Sequence, residues 1–239
     1  MNNIIDTAIL GTLVGVVGTG AGGIISILLV RPNRKFLSVL LGITSGLMLS
    51  IITFDLLPEA LSIGDLWICI VGIILGIILV VFIEDMIPDS KIKNNSLLKT
   101  GILVGIGIAL HNLPEGLAIG SGFVFRRDLG IKVALVMALH NLPEGIAMGT
   151  PLRMAGAKSL KILFLTFISG IPTGLGALIG GILGNVSDIF ISLCLSLASG
   201  TMLYITCGEL IPNAREIYKG RISTIGFVFG FVLGMGILH

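Results

Sequence analysis

Apolar residues fill almost the whole chain, in stretches long enough to cross a membrane. Hydrophobic residues make up 54% of the 239 residues and charged residues only 12%, about half the charged fraction of an average soluble domain. A membrane-spanning helix needs about 20 apolar residues. Eight stretches reach that size, at 7–30, 36–57, 66–83, 101–125, 131–148, 160–183, 189–211 and 222–238. We therefore predict one all-α membrane domain over residues 1–239, with eight transmembrane helices.

Lysine and arginine gather in alternate connections between these stretches. The connections before the second, fourth, sixth and eighth stretches hold all but three of the 15 basic residues, and the remaining three are Arg126, Arg127 and Lys132. The positive-inside rule places the richer side in the cytoplasm, and both termini then lie outside. The first residues, MNNIID, carry no basic residue, so we expect a retained first span rather than a cleaved signal. The predicted location is the plasma membrane.

Two near copies of one polar motif lie inside the apolar stretches. HNLPEGLAIG occupies 111–120 and HNLPEGIAMG occupies 140–149. Histidine, asparagine and glutamate are costly in hydrocarbon, and proline disrupts a helix interior. The same costly combination in the fourth and fifth stretches predicts a shared polar site near the middle of the membrane.

Helical geometry brings the polar side chains of each motif together. At about 100° per residue, the glutamate lies between its histidine and its asparagine around the helix axis. The candidate metal ligands are His111, Asn112, Glu115, His140, Asn141 and Glu144. A carboxylate placed between two other ligands can bridge two cations, so we predict a cage for one or two ions with the glutamates at its centre. Imidazole with carboxylate and amide oxygen suits Zn²⁺, Fe²⁺, Co²⁺ or Mn²⁺.

The prolines and glycines of the motifs support this prediction. Pro114 and Pro143 lack the N–H that would bond to the carbonyl four residues earlier, so each frees an oxygen next to a histidine. Gly116 and Gly145 follow the two glutamates, and small residues allow another membrane helix to approach closely.

A second repeat relates the second stretch to the seventh. SGLML at 45–49 corresponds to SGTML at 199–203, and DLLP at 55–58 corresponds to ELIP at 209–212. In an eight-span arrangement these two stretches run in opposite directions, as do the fourth and fifth. Related segments of opposite orientation are typical of inverted-repeat transporters. We predict inverted repeats made of spans 1–3 and 6–8 around the central pair.

Further acidic residues near the helix ends outline a possible ion path. Asp55 and Glu59 lie near the outer end of the second stretch, Asp85 at the inner end of the third and Glu209 near the inner end of the seventh. They predict an acidic entrance outside and an acidic exit inside, with Met48 as a candidate soft ligand. The alternative is that these acids only mark the membrane interface.

With these motifs the chain resembles the ZIP (Zrt/Irt-like) family of divalent metal transporters, and most of all its short prokaryotic GufA- and ZupT-like branch. The paired HNLPEG motifs carry the resemblance, together with SGLMLSIITFDLLPEA at 45–60 and SGTMLYITCGELIPNA at 199–214. The resemblance covers nearly the whole chain. It implies a two-metal site formed by the six ligands named above, and uptake into the cytoplasm. It also implies alternating access by motion of one helix group against another, and often a homodimer.

Two positions depart from the family pattern. Thr173 stands in SGIPT where the family often has a glutamate that contributes to the second metal position. Asn141 is neutral where some relatives carry aspartate. The resemblance therefore implies a second metal position with fewer carboxylates than usual.

The sequence as a whole predicts a transporter that moves Zn²⁺ into the cytoplasm, with Fe²⁺, Mn²⁺, Co²⁺ and Cd²⁺ as alternative substrates. No enzyme activity, cofactor or nucleic-acid partner is expected, and the bilayer surrounds the chain. An intramembrane metalloprotease is one alternative, but such enzymes typically use HExxH, whereas this chain has HxxxE twice. A metal sensor that moves no ion is another. The His–Glu pairs could also be buried ion pairs that fix the helix register.

Overall fold

Long helices account for nearly all of the described chain. The computed structural model describes residues 4–29, 33–85, 96–184 and 187–238. The long helices within these ranges are α1 (Ile4–Leu28), α2 (Arg34–Ile63), α3 (Leu66–Asp85), α4 (Ser96–Phe125), α5 (Arg127–Met154), α6 (Ser159–Leu183), α7 (Asp188–Ile217) and α8 (Ile222–Leu238). One helix occupies each predicted apolar stretch, although Val30, the last residue of the first stretch, lies outside the described residues.

The helices are apolar on the outside of the molecule. By length and composition of the described residues, α1, α2, α5, α6 and α7 can each cross a membrane, and α3 and α8 contain the shorter apolar segments Leu66–Phe82 and Ile222–Gly236. Large apolar side chains such as Leu13 and Trp67 point outward. Exposed apolar surface on this scale marks contact with a membrane. The chain is therefore an all-helical integral membrane protein.

α2 and α7 each contain one turn of π-helix, at Ile52–Leu56 and Thr206–Leu210. Both turns end two residues before a proline, which lacks a backbone N–H and disturbs the regular α-helical bonding. Asp55 and Glu209 lie in these turns. The two segments related by the sequence repeat therefore depart from regular α-helical geometry in the same way.

The helices pack in two groups of four. α6 packs against α1 and α4, and α5 packs against the same two helices; we call these four the site group. α2 packs against α8, α3 packs against α7, and the end of α2 also contacts α7; we call these four the frame group. The two groups meet mainly along two seams, where α4 lies against α7 and α2 lies against α5.

Two glycines of the repeated motifs allow the site group to pack closely. A Cβ atom at Gly116 would lie 2.8 Å from the backbone nitrogen of Ala177 on α6. A Cβ atom at Gly145 would lie 2.8 Å from the carbonyl carbon of Thr19 on α1. Both distances are shorter than a van der Waals contact, so only glycine fits. The prediction that these residues admit a neighbouring helix is confirmed, and it places α6 and α1 directly against the two motifs.

Candidate metal centre

α4 and α5 bring the two polar motifs face to face. His111 Nε2 lies 2.9 Å from Glu144 Oε2, and His140 Nε2 lies 2.7 Å from Glu115 Oε1. The glutamate on the same helix is farther from each histidine, at 3.8 Å for Glu115 and 3.4 Å for Glu144. The ring centroids of the histidines are 6.0 Å apart. Each motif therefore pairs with the other, and all four side chains are buried.

Some polar atoms of this cluster have no hydrogen-bond partner among the described residues. They are Nδ1 of His111, Nδ1 of His140 and Oε2 of Glu115. A buried polar atom without a partner costs about 1–3 kcal/mol, and such atoms require an explanation such as a ligand or ion. A network that served only to fix the helix register would gain by satisfying these atoms. The arrangement therefore favours a site that receives a ligand.

The spacing of the side chains suits a divalent cation. Ligand atoms of His111, His140 and Glu144 all lie within 4.8 Å of one another. Around a tetrahedral zinc ion with bonds of about 2.1 Å, ligand atoms lie about 3.4 Å apart, so these side chains would have to draw together to bind one zinc ion. With neutral imidazoles, Glu144 and Glu115 carry two negative charges, and no lysine or arginine in the described ranges pairs with them. A divalent cation would balance that buried charge.

The two asparagines are buried on the same helices, one residue after each histidine. Asn112 Nδ2 donates a hydrogen bond to the backbone oxygen of Ser169 on α6, at 2.7 Å. This bond fixes the amide, and its Oδ1 has no partner in the part of the chain that the structure describes. Neither polar atom of Asn141 has a described partner, and its side chain lies against Gly18 of α1. Both amides therefore have an oxygen available to a cation.

α6 places two polar residues beside the α4 motif. Thr173 is fully buried, its hydroxyl has no described partner, and its backbone lies against Gly116, next to Glu115. Ser169 holds the Asn112 amide through its carbonyl. Sequence reasoning did not identify this role of Ser169, although the residue belongs to the SGIPT segment in which Thr173 was singled out.

Asp55 and Glu59, the acidic residues predicted for the outer end of the second stretch, are paired with basic residues across a seam. Asp55 of α2 is buried and forms an ion pair with Lys132 of α5. Glu59 accepts a hydrogen bond from Arg126, which precedes α5, at 3.4 Å. These contacts place the two acids at the same end of the molecule as the minority of basic residues. The sequence did not predict the pairing with Lys132.

The remaining path candidates have contacts of their own. Met48 is fully buried, and its sulfur accepts a hydrogen bond from the Thr206 hydroxyl at 3.6 Å. Glu209 is exposed and accepts a hydrogen bond from Asn213 at 3.1 Å. Asp85 ends α3, and its side chain lies outside the described part of the chain. The repeated acids of α2 and α7 thus occupy different environments, one buried and one exposed.

Known proteins similar to this chain are metal transporters. The sequence model of the ZIP zinc transporter family matches residues 88–238. A zinc transporter ZupT from Chlorobium luteolum is 31% identical, over 95% of this chain and 95% of the relative. Zinc transporters ZupT from Clostridium perfringens and Streptococcus mutans are each 29% identical to this chain. Each match covers 98% of this chain, and it covers 95% of the first relative and 97% of the second. The similarity therefore extends over almost the full length of these proteins.

Proposed function

Because the chain belongs to the ZIP zinc transporter family, we propose that it carries Zn²⁺ across the plasma membrane into the cytoplasm. Members of this family are transporters and not enzymes. The observation that carries the proposal is the buried cluster in which each histidine meets the glutamate of the opposite helix, at 2.9 and 2.7 Å. Unpartnered nitrogen and oxygen atoms in that cluster offer ligands to the ion.

Each ligand has a role in this proposal. Glu115 and Glu144 bind the ion and balance its charge, while His111 and His140 supply nitrogen ligands. The Asn112 oxygen, which the hydrogen bond to α6 leaves available, contributes to a second position. Asn141 contributes to the same position, so its two amide ligands are neutral. Neutral ligands hold a cation less tightly than carboxylates, which suits a site that must release its ion.

The division into two helix groups supports alternating access. All six proposed ligands lie on α4 and α5, and close glycine contacts join these helices to α1 and α6. Contacts with the frame group lie mainly along two seams. We infer that the site group moves against the frame group as a body and exposes the ion first to the outside and then to the cytoplasm. Eight spans with both termini outside, arranged as inverted repeats, complete the proposal.

Radioactive zinc flux into proteoliposomes tests the proposed function. We expect saturable uptake by the wild-type protein and none by Glu144→Ala that has been recovered in the folded, inserted form. Competition with unlabelled Fe²⁺, Mn²⁺, Co²⁺ and Cd²⁺ ranks the alternative substrates. Zinc binding to the wild-type protein without flux would contradict transport and would favour a sensor.

A further inference from the structure

The ion pair between Asp55 and Lys132 joins the two helix groups. Asp55 belongs to α2 of the frame group, and Lys132 belongs to α5 of the site group. α2 and α5 form one of the two seams between the groups. The pair therefore bridges two parts of the molecule that must separate or slide if the site group moves.

The partners of this pair differ in burial. The Asp55 side chain is 2% exposed, whereas the Lys132 side chain is 49% exposed. Within the described residues, no group other than Lys132 pairs with the Asp55 carboxylate, and neither carboxylate oxygen receives a well-formed hydrogen bond. A buried carboxylate without a cation is strongly unfavourable. Lys132 supplies that cation from an exposed position, as a point charge on a flexible stem.

The pair lies on the outer side of the candidate metal centre. Lys132 precedes His140 by eight residues on α5, which is about 12 Å along the helix axis at 1.5 Å per residue. Asp55 lies in the π-helical turn of α2, where the regular backbone is interrupted, and such turns frequently occur at functional sites. A cation that approaches the centre along this seam meets the Asp55 carboxylate first.

We propose that Lys132 is a tethered competitor for the incoming metal ion at Asp55. Its ammonium group occupies the buried carboxylate between transport cycles, and an arriving divalent cation displaces it into solvent. The exchange replaces one cation by another without forming or breaking a covalent bond. It also releases α5 from α2, so arrival of the ion is linked to freedom of the site group. This inference rests on the proposed transport function.

A neighbouring ion pair provides a matched control. Arg126 and Glu59 also connect the two groups, at 3.4 Å, but their side chains are 59% and 22% exposed. An exposed pair of this kind contributes little, because water solvates both charges well. Removal of the Arg126 charge therefore changes the charge at the same end of the molecule without uncovering a buried carboxylate.

The test measures the KM for zinc flux in proteoliposomes. Lys132→Met removes the competitor, so zinc no longer has to displace an ion pair at Asp55. Because such a pair has modest strength, we expect the KM for zinc to fall about threefold to fivefold. Lys132→Arg keeps a cation and Arg126→Met removes a different one, so neither should lower the KM. Lys132→Gln serves as a second neutral variant if Lys132→Met is not recovered folded.

A charge swap separates competition from simple clamping. In Asp55→Lys with Lys132→Asp the ion pair is kept, but the carboxylate moves to the exposed position on α5. We expect this double variant to transport zinc with a raised KM. Wild-type kinetics in the swap, or an unchanged KM in both neutral Lys132 variants, would overturn the inference while wild-type flux upheld the transport function. Absence of zinc flux in the wild-type protein would overturn both.

Discussion

The reciprocal pairing of histidine and glutamate makes the centre a single unit. Each carboxylate is buried between an imidazole at hydrogen-bond distance on the opposite helix and a second imidazole on its own helix. Loss of one group leaves its partner buried without compensation, which is costly. The effects of single substitutions within the cluster should therefore not add, because the residues share the same partners.

Replacement of Glu115 by alanine should abolish zinc uptake. Glu115 bonds to His140 and is fully buried, so the substitution removes one of the two carboxylates that balance the ion. We expect zinc affinity to fall at least about 100-fold, since even supporting residues of metal sites are worth about 10- to 100-fold. Isothermal titration on the purified protein and uptake in vesicles measure the two effects. Glu216→Ala, an exposed glutamate on α7, is the control; normal uptake by well-inserted Glu115→Ala would contradict the site assignment.

A carboxylate at position 141 should strengthen the second metal position. Asn141 is buried and has no described hydrogen-bond partner for either amide atom, and aspartate has nearly the same shape. Because an anionic ligand attracts a cation more strongly than an amide oxygen, we expect Asn141→Asp to bind more zinc per chain than the wild-type protein. Equilibrium dialysis with radioactive zinc gives the stoichiometry. An unchanged stoichiometry and affinity would show that residue 141 does not contribute a ligand.

Among the helices, each predicted apolar stretch coincides with one helix, but the helix ends differ from the predicted ends. α2 and α7 continue to Ile63 and Ile217, beyond the apolar residues, because a helix can extend into the polar interface where hydropathy no longer marks it. The sequence repeat identified the segments that contain the π-helical turns but could not predict the turns themselves. The pairing of Lys132 with Asp55 was also beyond sequence reasoning, since it depends on how α5 lies against α2.

The contact between α4 and α6 should not tolerate a side chain at Gly116. A Cβ there would meet backbone atoms of α6, which cannot move aside as a flexible side chain could. We expect Gly116→Ala to destabilise the protein by about 1–3 kcal/mol, the usual cost of overpacking, and to reduce zinc uptake. Thermal unfolding in detergent measures the stability. Gly107→Ala on the same helix meets nothing within 4 Å and should be neutral or slightly stabilising; equal behaviour of the two variants would contradict the close packing.

At the scale of the whole molecule, the two helix groups connect the centre to transport. The site group carries every proposed ligand, and the frame group carries the π-helical turns with Asp55 and Glu209. The duplicated motifs allowed the centre to be proposed from the sequence, because costly polar residues in an apolar stretch indicate function. The grouping of the helices could not be predicted in the same way, since most of the apolar surface is compatible with either lipid or a neighbouring helix.

A cross-link between the groups should stop transport, whereas one within a group should not. In a Cys207→Ser background, cysteines at positions 59 and 126 can be joined across the groups by a short bifunctional thiol reagent, because the native side chains meet at 3.4 Å. Ser192→Cys faces the native Cys69 within the frame group, at 3.7 Å between Sγ and Oγ. We expect zinc flux to be lost only in the first case and restored by cleavage of the linker. Full flux with the groups cross-linked would contradict motion between them.

We propose that the paired histidines and glutamates of α4 and α5 bind the transported ion. X-ray absorption at the zinc edge, on the zinc-loaded wild-type protein beside His140→Ala, tests this binding. We predict nitrogen and oxygen ligands at about 2.0–2.2 Å, with imidazole scattering that decreases in the variant. A spectrum that is identical in His140→Ala, or one dominated by sulfur at about 2.3 Å, would place the ion elsewhere and contradict the account.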